Sequence, residues 1–136
     1  MRVVDANVAL AWAVPSAINP AAMDLLAQPL DLVAPMLLVQ EVTNACRLMV
    51  KTGHVDLRTA HAIRRDAMAP IRLAFDDAAL AARALEIATE LDHPAYDCFY
   101  IAAAETADTT LITADRRLLA KITGTAYADR VVELGA

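Results

Sequence analysis

The chain predicts a single α/β domain with a mostly parallel central sheet flanked by helices. Short runs of apolar and β-branched residues, Val3-Val4, Leu32-Val33-Ala34 and Leu111-Ile112-Thr113, alternate with longer stretches in which apolar residues recur at three- and four-residue steps. The short runs are apolar throughout, as expected of strands covered on both faces. At 136 residues, 58% apolar and 21% charged, the chain is long enough for one core without disulfides or structural metals and too apolar to be disordered. Its many alanines suit closely packed helices.

Arg2 to Asp5 reads as a short strand, followed by a helical stretch through Trp12 that Pro15 stops. Pro20 to Ala27 predicts a second helix, with Asn19 as N-cap and Pro20 at its first position. A strand follows over Asp31 to Ala34, and Pro35 opens a long helix that ends near Thr52, with Gly53 as its stop. Asp56 caps a helix running to about Met68. Ile71 to Ala74 is the next strand, and Asp76 caps a helix reaching Leu91. His93-Pro94 breaks the chain before a helix from Ala95 to Asp108. Thr110 to Thr113 is a β-branched, apolar strand between polar flanks. A short helix from Asp115 to about Ile122 and a last strand near Arg130 to Leu134 complete the pattern. No repeat, low-complexity tract or linker interrupts residues 1–136, which read as one domain.

The start, Met1 to Ala13, imitates a signal peptide, but Asp5 and Asn7 cut its apolar region too short for that role. Nothing later approaches the roughly 20 apolar residues needed to span a bilayer. Cys46 and Cys98 are far apart, lie on apolar stretches and form no Cys-x-x-Cys pattern, so they read as core residues in a reducing compartment. A soluble, cytoplasmic protein with no membrane association is expected.

Four acids stand at the edges of apolar segments. Asp5 closes Val3-Val4 and Asp115 follows Leu111 to Ala114, placing both at the carboxyl ends of buried strands, where ligand sites of open α/β sheets lie. Glu41 falls in the stripe Leu37, Glu41, Ala45, Leu48, and Asp97 in the stripe Asp97, Tyr100, Ile101, Ala104. Asp5 and Asp115 also read as N-caps, and Asp97 as a favourable charge in a first helical turn. Glu41, about two turns inside its helix on an apolar stripe, has no such local explanation. Carboxylates brought together raise one another's pKa unless a cation compensates them, and hard oxygen donors select Mg²⁺ or Mn²⁺. Zinc is disfavoured because His54, His61 and His93 are scattered; only His93 reads as an accessory group.

A formal net charge of −5 argues against coating nucleic acid by bulk electrostatics. Setting the four acids aside leaves −1, and bound cations would make the local field positive. Arg116 and Arg117, with Arg64-Arg65, Arg47, Lys51 and Arg58, would then be placed to meet phosphates. A solvated helix face is the simpler reading for Arg64 and Arg83.

The opening Val3-Val4-Asp5-Ala6-Asn7-Val8, the helix from Pro35 to Arg47 carrying Glu41 and Asn44, the stretch Ala95 to Tyr100 with Ala102 to Glu105, and Leu111 to Asp115 with Leu118 resemble the motifs of PIN-domain nucleases. They follow the family's order over nearly the whole chain and look most like VapC-type toxins of bacterial toxin–antitoxin pairs. The resemblance implies a PIN-like α/β/α domain that hydrolyses RNA phosphodiester bonds by metal-activated water. It implies Mg²⁺ or Mn²⁺ held by Asp5, Glu41, Asp97 and Asp115. Asp5 and Asp97 are then direct ligands, Asp115 a ligand to the same or a second ion, and Glu41 a ligand or the orienter of a water. Asn7 and Thr113 match supporting positions, with Asn7 standing where a hydroxyl residue is commoner. A homodimer and a small VapB-like antitoxin are expected as partners on the same ground.

Other readings fit less well. A haloacid-dehalogenase-type phosphatase needs an acid two residues after the first, where Asn7 stands, and a receiver domain needs a lysine after a late strand, whereas Lys121 falls in a helix. An RNA-processing nuclease that is not a toxin and a catalytically silent binding module of the same fold are the alternatives that remain.

Overall fold

Strand β1 (Arg2–Val4) occupies the middle of the sheet in a computed structural model that describes residues 1–136, and its Val3 and Val4 side chains are wholly buried. It pairs in parallel with β2 (Leu32–Pro35) on one side and β4 (Leu111–Thr113) on the other. Strands β3 (Arg72–Phe75) and β5 (Val131–Glu133) extend the two sides, giving an all-parallel order β3-β2-β1-β4-β5. The chain builds outward from β1 in one direction, then crosses back to build in the other. That reversal leaves a crevice at the carboxyl ends of β1 and β4, the place where open parallel sheets bind ligands.

The helices pack in two groups that flank the sheet. Helices α1 (Ala6–Ala13), α2 (Asn19–Leu26), α3 (Leu37–Lys51) and α4 (Leu57–Met68) contact one another, while α5 (Asp77–Leu91) pairs with α6 (Ala95–Thr106). Helix α6 lies against β1, β2 and β4; its run Ile101 to Ala104 is fully buried, the small side chains allowing close approach to the sheet. A short α7 (Arg116–Ile122) and a 3₁₀ turn (Ala128–Arg130) lead into β5. No helix is long and apolar enough to cross a membrane.

Local signals account for most boundaries. Asp56 and Asp76 cap α4 and α5 as expected, accepting from the amides of Thr59 at 2.7 Å and Ala78 at 3.0 Å. Gly53, at φ 75°, takes the left-handed conformation that stops α3 just past its C-cap Thr52. Three expectations need correction. Pro35 does not open α3 but ends β2, at an irregularity in the pairing with β3, so Glu41 lies about one turn inside the helix and not two. Asn19 is the first residue of α2 and caps nothing; its amide donates to the Ala11 carbonyl at 2.8 Å and ties α2 to α1. The amino end of α3 is capped from afar by Asp77, whose two carboxylate oxygens accept from Met36 and Leu37 at 2.8 and 2.7 Å.

Candidate active site

Asp5 sits at the end of the central strand and is buried, and both of its oxygens are committed. Oδ1 accepts from the Val8 amide at 3.0 Å, making Asp5 the N-cap of α1, and Oδ2 accepts from the Thr113 hydroxyl of the adjacent strand. The Thr113 oxygen in turn accepts the Asp115 backbone N–H at 3.0 Å. One hydroxyl thus fixes the two strand-end acids relative to each other. Burial pushes the Asp5 carboxyl up to about 7, with the charges of Asp97 and Glu41 adding to the rise and the two hydrogen bonds opposing it.

Glu41 projects from α3, half-buried, and its Oε1 accepts from the Tyr100 hydroxyl at 2.6 Å. Burial raises its pKa, and Asp97 adds to the effect against the Tyr100 bond. Tyr100 is buried on α6, its phenol held far up the pH scale by burial and by the charges of Glu41, Asp5 and Asp97. Of the acids it bonds Glu41 alone, while the charges of Asp5 and Asp97 reach it through space. Asp97, in the first turn of α6, has Oδ2 2.6 Å from His93 Nε2. His93 is set there by Asp92, which takes the left-handed conformation (φ 48°) and ends α5. Asp115 is the N-cap of α7, with Oδ1 accepting from Arg117 and Leu118. It shares an open cavity of about 520 Å³ with Asp97, His93, Arg117 and Lys121.

These positions match a known pattern of fold and sequence. Residues 2–124 match the PIN domain family model. The chain belongs to the PIN-domain family. The PIN domain is also similar to two solved structures. PAE2754 from Pyrobaculum aerophilum is 26% identical, with a TM-score of 0.71 over 98% of this chain and 90% of that one. A toxin–antitoxin complex from Klebsiella pneumoniae is 19% identical, with a TM-score of 0.66 over 97% and 96%, a likeness of fold. No curated protein matches the sequence. PIN domains are generally nucleases.

The structure brings Asp5, Glu41 and Asp97 within mutual electrostatic reach and joins Asp5 to Asp115 through Thr113. No three His, Cys, Asp or Glu side chains are gathered closely enough to grip a metal ion, so the acids surround the crevice without closing on one point. Like charges keep them apart, and Tyr100 and His93 hold Glu41 and Asp97 by one oxygen each. Their other oxygens, and Oδ2 of Asp115, accept no hydrogen bond from the protein. An all-oxygen donor set with free lone pairs at the end of a parallel sheet fits a Mg²⁺ or Mn²⁺ ion.

Asp5 and Asp115 are both N-caps, as the local reading of the strand-end acids expects. Asn7 is exposed in a shallow surface cleft with Leu10, Val14 and Ile18 and touches none of the four acids through a hydrogen bond. Tyr100 is the functional candidate that sequence reasoning missed: an aromatic on an apolar stripe reads as core, and only its hydroxyl reaches the site. Replacing Thr113 by Val should cost about 1–3 kcal/mol by removing a buried hydroxyl and its two bonds. Activity should fall about 10–100-fold, the usual effect of losing a group that orients a site's carboxylates. Urea melts and cleavage assays check both, with Thr113→Ser restoring function; full activity in the Val variant would remove Thr113 from the site.

Proposed function

We propose that this chain is the toxin of a type II toxin–antitoxin pair, a Mg²⁺- or Mn²⁺-dependent endoribonuclease that acts in the cytoplasm as a homodimer. The observation that carries the nuclease reading is the set of acids at the carboxyl ends of a PIN-family sheet, Asp5 linked through Thr113 to Asp115 and Glu41 held by Tyr100 of α6, the helix that carries Asp97. The toxin role rests on the shared fold with a chain described as part of a toxin–antitoxin complex.

Asp5, Glu41, Asp97 and Asp115 would hold the divalent cation, which when bound would supply an activated water and positive charge for the phosphodiester. The chain's own residues hold the donors. Val8 and Thr113 fix Asp5, Tyr100 turns Glu41 inward, His93 steadies Asp97, and the first amides of α7 hold Asp115. Arg116 and Arg117 are exposed at the start of α7, beside Asp115, which supports a role for them as contacts to neighbouring phosphates.

A VapB-like antitoxin would silence the site by placing an Arg among the carboxylates, where its guanidinium makes charge-assisted hydrogen bonds in place of the cation. Leu10, Val14, Met36 and Leu37 remain at least partly exposed for an apolar partner face. Trp12, which on sequence grounds suits a partner groove as well as the core, is buried and donates to the Ala67 carbonyl at 3.0 Å, so it belongs to the core.

Expression of the chain alone tests the toxin role. Growth should arrest with the parent, continue with Asp5→Ala, and recover when a short neighbouring reading frame with a DNA-binding amino-terminal part and an Arg-containing tail is co-expressed. Unaffected growth at a confirmed level of active enzyme would point to an RNA-processing nuclease.

A further inference from the structure

Helix α7 carries Arg117 and Lys121 one turn apart, and both line the open cavity of about 520 Å³ that also holds Asp97 and Asp115. Arg116, between Asp115 and Arg117 in the chain, does not line it. The junction of α5 and α6 adds Asp92 and His93 to the lining. Three carboxylates thus share the cavity with two exposed cations, yet neither cation pairs with any of them. The ion pairs of this protein involve Arg72, Arg83, His93 and Arg130. Arg117 meets Asp115 only through its backbone N–H, at 2.9 Å. Both side chains are therefore free to take an anion that enters the cavity.

Asp5 and Glu41 do not line this cavity, so it is a side arm of the acid set and not its centre. A phosphodiester centred on the four acids lies beside Arg117 and Lys121, not between them. Lys121 stands about 9 Å along the chain axis from Asp115, at about 1.5 Å per residue, which is on the scale of one nucleotide.

We propose that Arg117 and Lys121 form a subsite for the phosphate next to the scissile one, so that the site favours a bond within a strand over one in a substrate with a single phosphate. The proposal rests on the ribonuclease reading and adds how the strand is held beside the cut. Four carboxylates carry more charge than one divalent cation cancels, so they repel the other phosphates of a bound strand unless cations stand at that flank. With Asp97 and Asp115 committed to the divalent cation and His93 to Asp97, Asp92 is the one acid left to oppose an anion in the cavity, against two cations. Lys121, a helical lysine with no role in the sequence reading, becomes a binding residue, and Arg116 lies outside the subsite.

The test uses a synthetic single-stranded RNA that spans a cut made by the parent in Mg²⁺, with a neutral methylphosphonate replacing the phosphate on the 5′ or the 3′ side of the cut. In the parent, one of the two replacements should lower kcat/KM about tenfold, mainly through KM, the worth of a hydrogen bond to a charged group. In the double variant Arg117→Gln with Lys121→Gln, the unmodified RNA should already show that loss, and the methylphosphonate should add nothing. Arg116→Gln removes the same charge outside the cavity and should keep the parental response to the methylphosphonate. The double variant should melt with the parent, since these cations make no ion pairs. The side on which the loss falls gives the direction in which the strand crosses the site. An equal methylphosphonate penalty in parent and double variant, or no penalty on either side in the parent, would overturn the subsite while leaving the nuclease reading intact. Absence of any Mg²⁺-dependent cleavage by the parent would overturn both.

Discussion

Replacing Asp97 by Asn should reduce RNA cleavage by at least about a hundredfold while leaving the fold intact. Losing a group that merely supports a metal ligand costs about 10–100-fold, and a ligand matters no less than its support. The amide keeps the shape of the carboxylate and a carbonyl oxygen for His93, but it removes a charge on which cation binding depends. The position is half-buried in the first turn of α6 and holds no element together, so the far-UV spectrum and melting cooperativity should be those of the parent. Cleavage at the parental rate would remove Asp97 from the chemistry.

The second large effect concerns stability without metal. The Asp5 carboxyl is pushed up to about 7 from an ordinary 3.8, chiefly by burial. Between those values the unfolded chain releases a proton that the folded chain retains, so stability falls as pH rises through that window and the loss is complete above about 7. Raised Glu41 contributes with the same sign. A gap of about three pH units corresponds to at most about 4 kcal/mol, and relaxation around the charge will reduce it. Asp5→Asn keeps the cap on Val8 and removes the titration. The metal-free variant should therefore melt on the order of 5–10 °C above the parent at pH 8 and show a smaller difference at pH 5. Millimolar Mg²⁺ should raise the melting temperature of the parent by mass action and that of the variant much less. Equal melts for both proteins at both pH values, with no response to Mg²⁺, would reduce Asp5 to a helix cap.

What could be read from the sequence follows from how local each signal is. Strand runs such as Leu111 to Thr113 and caps such as Asp56 and Asp76 act within a few residues, and each forms the element expected. Asn19 and Pro35 mislead because their roles are set elsewhere. Asn19 answers a carbonyl on α1, and Pro35 ends β2 while the amino end of α3 is capped by Asp77, forty residues beyond Leu37. For the site, Glu41 is legible because an acid on an apolar stripe has no local purpose. Asp5 and Asp115 are legible only in company, because each is also a genuine cap. The links among the acids, through Thr113, Tyr100 and His93, depend on strand register and helix packing, which no spacing in the sequence encodes.

The central claim, that these acids form one cation-dependent hydrolytic site, is tested most directly by incubating the purified parent with end-labelled RNA in Mg²⁺ or in excess chelator and resolving the products. Cleavage should occur with Mg²⁺, stop with chelator and resume when Mg²⁺ or Mn²⁺ is restored. Because water attacks the phosphorus, the products should end in simple monophosphates and hydroxyls. Cleavage that persists in chelator, or products ending in 2′,3′-cyclic phosphates, would contradict it.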